Sequence, residues 1–204
     1  MRVSVMLAAF AMLSSVVVAE DFKPLFDGKT LKGWTGDEEL WSVEDGVIVG
    51  TTDNKKITKN SFLAYEKKFA NFSLRLKFKL RNGNSGVQFR STLSDNFRVS
   101  GYQADIADNK FLGILYSEGT GRGILQQVKD VKALQEKINK DGWNEYEITA
   151  NGNKITQAIN GIVTVDFTDE DEKKAVSEGI IALQAHVGPK MRIEFKDIEI
   201  KELP

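Results

Sequence analysis

The chain has 204 residues, with 28 Lys and Arg against 29 Asp and Glu, one His and no Cys. A net charge of −1 offers no field to draw nucleic acid or anionic lipid, and the lack of Cys removes disulfides, thiolate metal sites, cysteine nucleophiles and a lipid-modified cysteine. The single histidine, His186, excludes any one-chain site built from two or three.

Residues 1–19 carry one charge, Arg2, followed by an apolar stretch from Val3 to Val18 that ends in Val17-Val18-Ala19. This is the pattern of a secretory signal peptide cleaved after Ala19. The stretch is short for a bilayer span and is interrupted by Ser4, Ser14 and Ser15. The expectation is a secreted or periplasmic protein of residues 20–204, a single domain with no stable membrane anchor. Losing Arg2 leaves 27 basic against 29 acidic residues, a net charge of −2.

Beyond the leader the dominant period is two. Leu40–Val43 and Val47–Val49 flank Asp45-Gly46 as a hairpin. Phe62–Tyr65 and then Ser73–Leu80, which alternates without a fault, read as strands, the second with one buried face. Gly86–Ser91 and Tyr102–Ile106 follow. Within Lys129–Lys140, Val131, Leu134 and Ile138 have the spacing of a short surface helix. Glu145–Ala150, Lys154–Ile159 and Val163–Phe167 are joined by Asn151-Gly152-Asn153 and Asn160-Gly161, a β-meander. Asp169–Lys174 is a charged run expected in a solvated loop. Gly179–His186 and Met191–Lys201 close the chain. About ten to twelve strands point to an all-β sandwich or jelly roll of two antiparallel sheets.

Alternation also places polar side chains together. Gln88 and Arg90 share one face while Val87 and Phe89 point into the core; Gln103 pairs in this way with Asp105, and Gln184 with His186. Amides, a carboxylate, a guanidinium and an imidazole on neighbouring strands suit a hydroxyl-rich ligand. Polar residues facing solvent on an outer sheet would give the same pattern.

The segment Phe22–Trp34 (FKPLFDGKTLKGW) is similar to the start of a family first called DUF1080 and now described as the 3-keto-disaccharide hydrolase domain, or 3-keto-glucoside 1,2-lyase/3-keto-2-hydroxy-glucal hydratase. The likeness runs on through Trp41–Gly46, Asn84–Arg90, Gly101–Asp105, Gly113–Tyr116, Gly142–Glu145 and Gly179–His186. The resemblance implies a concanavalin-like jelly roll with a sugar on its concave sheet. Two departures stand out. Ala185 occupies a place where members often carry an acid or amide beside the histidine, and Ser117 separates Tyr116 from Glu118.

The reaction implied is cleavage of 3-keto-glycosides or 3-keto-disaccharides. A base removes the C2 proton, the C1 aglycone leaves by β-elimination, and water adds to the resulting glucal. Such a site needs a base, a donor for the enediolate oxygen and an acid for the leaving oxygen. It does not need the carboxylate pair of ordinary glycosidases, whose Glu-x-Asp-x-x-Glu strand is missing. His186 is the candidate base or metal ligand. Asp105 could orient it, act as base itself or hold a divalent cation; no cofactor is assigned. Arg90 would neutralise the enediolate, and Gln88, Gln103 and Gln184 would read hydroxyls. Tyr116 would protonate the leaving group, with Glu118 an alternative acid or a metal ligand; Arg122 in the loop Gly119–Gly123 would reach over the site, and Trp143 would stack on a sugar. Trp34 and Trp41 are expected in the core. The alternative function is a non-catalytic carbohydrate-binding module.

Overall fold

The computed structural model describes residues 21–204, so the expected leader at 1–19 lies outside the described residues. In chain order the first strands are β1 (Lys23–Pro24), β2 (Trp34–Thr35), β3 (Trp41–Glu44), β4 (Val47–Thr51) and β5 (Ser61–Phe69). Next come β6 (Phe72–Arg81), β7 (Asn84–Ser94), β8 (Arg98–Ala107), β9 (Leu115–Glu118) and β10 (Gly123–Gln126). After helix α1 (Val131–Lys137) follow β11 (Asn144–Asn151), β12 (Lys154–Ile159), β13 (Ile162–Thr168), β14 (Gly179–Ala185) and β15 (Arg192–Glu202).

These strands form two antiparallel sheets. Sheet A has the order β13-β12-β11-β6-β15-β4-β3, with β1 on β15, and sheet B has β10-β9-β8-β7-β14-β5-β2. The faultless alternation of Phe72–Arg81 becomes the buried row Phe72, Leu74, Leu76 and Phe78 of sheet A. Those residues, with Tyr146, Ile148, Ile193 and Phe195, meet Val87, Phe89, Tyr102, Ala104, Ile181 and Leu183 from sheet B. Each such side chain contributes roughly 1.5–3 kcal/mol by leaving water. Trp34 and Trp41 lie in this core, as expected. In the Asn160-Gly161 turn both residues have positive φ (48° and 78°), the geometry that a two-residue hairpin between twisted strands requires. The helix falls inside its expected window, with the Asp130 carboxylate accepting from the Ala133 N–H at 2.9 Å and Leu134 buried.

Four strands escape the period-two pattern: β1 and β2 are two residues long, and β9 and β10 four each. β5 also runs on past Tyr65, since its charged Glu66-Lys67-Lys68 sits in a bulge opposite Ile180–Ala182 and faces solvent.

One irregularity shapes the outer face of sheet B. The β7–β8 ladder slips between Phe89 and Thr92, where Arg90 has φ 45°. Opposite, Gly101 has φ 149°, and a Cβ there would stand 2.3 Å from Ser91 Oγ. The hairpin beyond this hinge folds across the sheet. Val99 packs on Phe62, Ala64, Ile180 and Ala182, and the Phe62 N–H donates to Phe97 O at 3.0 Å. The β9 end travels with it, because Glu118 pairs with Gly101.

Candidate functional site

Register aligns the outward side chains of sheet B in rows. One row runs Ala64, Ala182, Gln88, Gln103, Tyr116 across β5, β14, β7, β8 and β9. The neighbouring row holds Phe62, Gln184, Gly86 and Asp105. Gly86 leaves room for the Gln103 side chain, since a Cβ there would lie 2.7 Å from the Gln103 amide carbon. These groups are buried: Gln88, Gln103 and Gln184 are 0–2% exposed and Asp105 4%.

The buried polar groups are unequally served. Gln88 Nε2 donates to Gln103 Oε1, and Gln103 Nε2 donates to Asp105 Oδ1 at 2.8 Å. Asn84 Nδ2 reaches the same carboxyl oxygen at 3.4 Å. Gln184 has no partner for either amide atom, and Asn84 Oδ1 has none. An orphaned buried amide costs about 1–3 kcal/mol unless something completes it, and three of the five such atoms among the described residues belong to Gln184 and Asn84, the others being Trp41 Nε1 and Gln157 Nε2. Burial pushes the Asp105 carboxyl up to about 7, with the charge of Glu118 adding to the effect and the bonds from Gln103 and Asn84 opposing it.

His186 follows β14 directly and lines, with Asn84, Asn82, Asn109 and Phe111, an open cavity of about 540 Å³. Its Nδ1 lies against the Val187 carbonyl, which can only accept, so Nδ1 carries a proton and donates to it. Asp105 spends its hydrogen bonds on Gln103 and Asn84 and does not orient the imidazole. Glu118, carried over the face by the hinge, accepts from Asn60 Nδ2 at 3.3 Å. Asn60 Oδ1 in turn accepts from the Val187 N–H at 3.0 Å, tying β9 to the strand end that bears His186.

Three expected site residues stand elsewhere. Arg90 leaves the Gln88 face because its positive φ turns the side chain into the end of the sandwich. There it donates to Ala70 O at 2.7 Å, Gly152 O at 2.6 Å and Asn71 Oδ1 at 3.1 Å. Arg122 is held in a two-bond pair with Asp169, at 2.7 and 2.9 Å, and does not reach over the site. Asp169 is thereby buried rather than solvated, and also accepts from the Tyr102 hydroxyl. Trp143 lies on sheet A, with Lys196 Nζ 4.1 Å from its ring centre.

Two residues of the site were not assigned from the sequence. Asn84 alternates outward with Gly86 and Gln88, so period two could have found it. Asn60 lies in the Lys59-Asn60-Ser61 approach to β5, where no local pattern marks it. Among the described residues no three His, Asp or Glu side chains gather as a metal cage, and the donors around Asp105 are amides already bonded to it.

Comparison with known proteins gives the site its context. A protein from Parabacteroides distasonis provisionally described as a glycosyl hydrolase superposes with a TM-score of 0.67 at 21% identity, over 90% of this chain and 94% of that one. The carbohydrate-binding module CBM66 from Bacillus subtilis gives 0.63 at 16% identity, over 83% and 96%. A Bacillus subtilis protein with a galectin-like fold gives 0.65 at 11%, over 84% and 90%. These likenesses establish the jelly-roll fold. No curated protein matches the chain in sequence. The model of the 3-keto-alpha-glucoside-1,2-lyase-like domain matches residues 21–201, and the chain belongs to that family.

Proposed function

We propose that the protein is an exported enzyme that cleaves 3-keto-glycosides by elimination and rehydration at the outer face of sheet B. The observation that carries this reading is a deeply buried carboxyl, pushed to about 7, beside the unpartnered amides of Gln184 and Asn84. An acid of that strength is half ionised near neutrality, which suits a base for a proton made acidic by an adjacent ketone.

In the proposed sequence the Asp105 carboxylate takes the proton from C2, and the C–H electron pair becomes the C2–C3 double bond of an enediolate. The oxygen at C3 takes the negative charge, and Gln184 Nε2 is an unspent donor for it. The C3 carbonyl then re-forms, the double bond moves to C1–C2, and the C1–O bond breaks. Glu118 acts in its protonated form, giving its proton to the departing aglycone oxygen and becoming the carboxylate. For hydration, water adds at C1 and gives its second proton to the Glu118 carboxylate, while protonated Asp105 returns a proton to C2, giving the 3-keto sugar. His186 Nε2 and the amides of Asn84, Gln88 and Gln103 hold hydroxyls, with Tyr116 at the end of their row.

The test follows a 3-keto-disaccharide in deuterated water by NMR. Release of sugar with deuterium entering C2 faster than in enzyme-free solution is the expected result. Release without deuterium would instead mean direct hydrolysis. The CBM66 likeness favours a second reading, a sugar-binding module without turnover. It predicts resonances that shift on titration while the sugar stays intact. Export rests on the pattern of residues 1–19, and a mature N-terminus at Glu20 is its check.

A further inference from the structure

Asn60, which holds both Glu118 and the Val187 N–H, has a second side. It also lines an open cleft of about 490 Å³ between the segment Lys55–Ser61 and the tip of the β7–β8 hairpin at Asn96–Arg98. The lining of this cleft carries four cations, Lys55, Lys56, Lys59 and Arg98, against one carboxylate, Asp37. Asp37 is paired with Lys55 at 2.6 Å, and Lys55 also binds Glu39. Lys56, Lys59 and Arg98 line the same cleft, are exposed, and have no acidic partner among the described residues. Three unopposed cations thus stand together on a chain whose formal net charge is −1.

We propose that this cleft is a subsite for an anionic group, a carboxylate or a sulfate ester, carried on the aglycone. The inference rests on the elimination reading of the neighbouring site and names the class of substrate it takes. The acid that protonates a leaving oxygen must stand on the aglycone side of the sugar. Glu118 fills that place, and its partner Asn60 is a wall of the cleft, so an aglycone extending past Glu118 enters it. There it meets two ammonium groups and a guanidinium whose fork matches a carboxylate or sulfate. Exposed cations each add little and are screened by salt, so the subsite acts through the three together and weakens with ionic strength.

The experiment measures affinity and kcat/KM at low and high salt for three aryl 3-keto-glucosides that differ only in a para substituent: carboxylate, sulfate ester or neutral carboxamide. The expected result is about five- to tenfold tighter binding of the anionic compounds at low salt, shrinking at high salt. In the Lys56→Ala/Lys59→Ala/Arg98→Ala variant that preference disappears, while kcat/KM for the carboxamide stays within about twofold. A preference for one anion alone identifies which group the subsite takes. Equal affinities in the unaltered protein, or a preference that survives in the variant, would overturn the proposal. Absence of turnover on the carboxamide would count against the elimination reading instead, and the affinities would still decide the charge preference.

Discussion

Two buried polar clusters lie at different places in this sandwich, and they are built on opposite terms. At one end, Arg90 spends its guanidinium on three carbonyls and Asn71, while Asp169 answers Arg122, the Tyr102 hydroxyl and the Asp171 N–H. On the outer face of sheet B, burial is as deep but Gln184 and Asn84 keep unpartnered atoms, and Asp105 has no cation beside it. A closed network of this kind supports folding, because each group repays its loss of water inside the protein. An open one lowers stability unless a ligand or ordered water completes it. Arginine on an outward-facing strand looks identical in the two settings until the backbone conformation is known.

The largest expected effect comes from Asp105→Asn, which sharpens the contrast in two ways at once. Turnover should fall by about a thousandfold or more, the range for loss of a positioned base. Stability should move the other way. The folded carboxyl titrates near 7, whereas an unfolded one keeps the ordinary aspartate value of about 3.9. The folded state therefore binds more protons between those values, and stability falls as pH rises across that window. At 1.36 kcal/mol per unit the cost reaches up to about 4 kcal/mol above pH 7. The Asn variant escapes it, so its Tm should exceed that of the unaltered protein at pH 8 and converge with it near pH 4. Thermal scans at the two pH values decide this, and a lower Tm for the variant at pH 8 would refute the strained-carboxyl account.

Arg90→Met breaks the closed cluster. It leaves the carbonyls of Ala70, Gly152 and Val176 without their donor, a loss on the order of 3–5 kcal/mol. Denaturant unfolding should show it, while kcat per folded molecule stays unchanged. A large fall in kcat with stability intact would return Arg90 to the active site.

Gln184→Leu removes two unpartnered amide atoms from the open cluster. Folding should gain about 1–2 kcal/mol. Turnover should drop by about a hundredfold, the cost of one oxyanion donor. Stability and kcat moving together in the same direction would contradict the role given to the amide.

What the sequence disclosed and what it hid follow the same physics. Strict alternation, as in Phe72–Arg81, and two Asn-Gly turns report local geometry, and the meander and most strands were legible from them. The face shared by Gln88, Gln103, Asp105 and Gln184 was legible for the same reason. Arg90 was not, because a single positive φ ends the alternation that placed it with Gln88. Nor were Asn60 and the docking of Arg122 on Asp169, 47 residues away, which depend on chain closure. The strand count and the family likeness both pointed to the jelly roll, whereas Arg122 was placed over the site from its Gly-rich loop alone, and a loop sequence does not record where a side chain turns.

Trp143→Ala should have the smallest effect, and it tests whether sheet A takes part at all. Its ring lies under Lys196 at 4.1 Å, on the sheet that does not carry Asp105. A half-exposed contact of this kind contributes about 0.5–1 kcal/mol, so a shift of a few degrees at most is expected in the melting curve. KM and kcat for a 3-keto-disaccharide should stay within about twofold, because no row of the site includes the ring. A tenfold rise in KM would mean that substrate reaches sheet A, and the contrast between the open outer face and the closed Arg90–Asp169 end would have to be redrawn to include it.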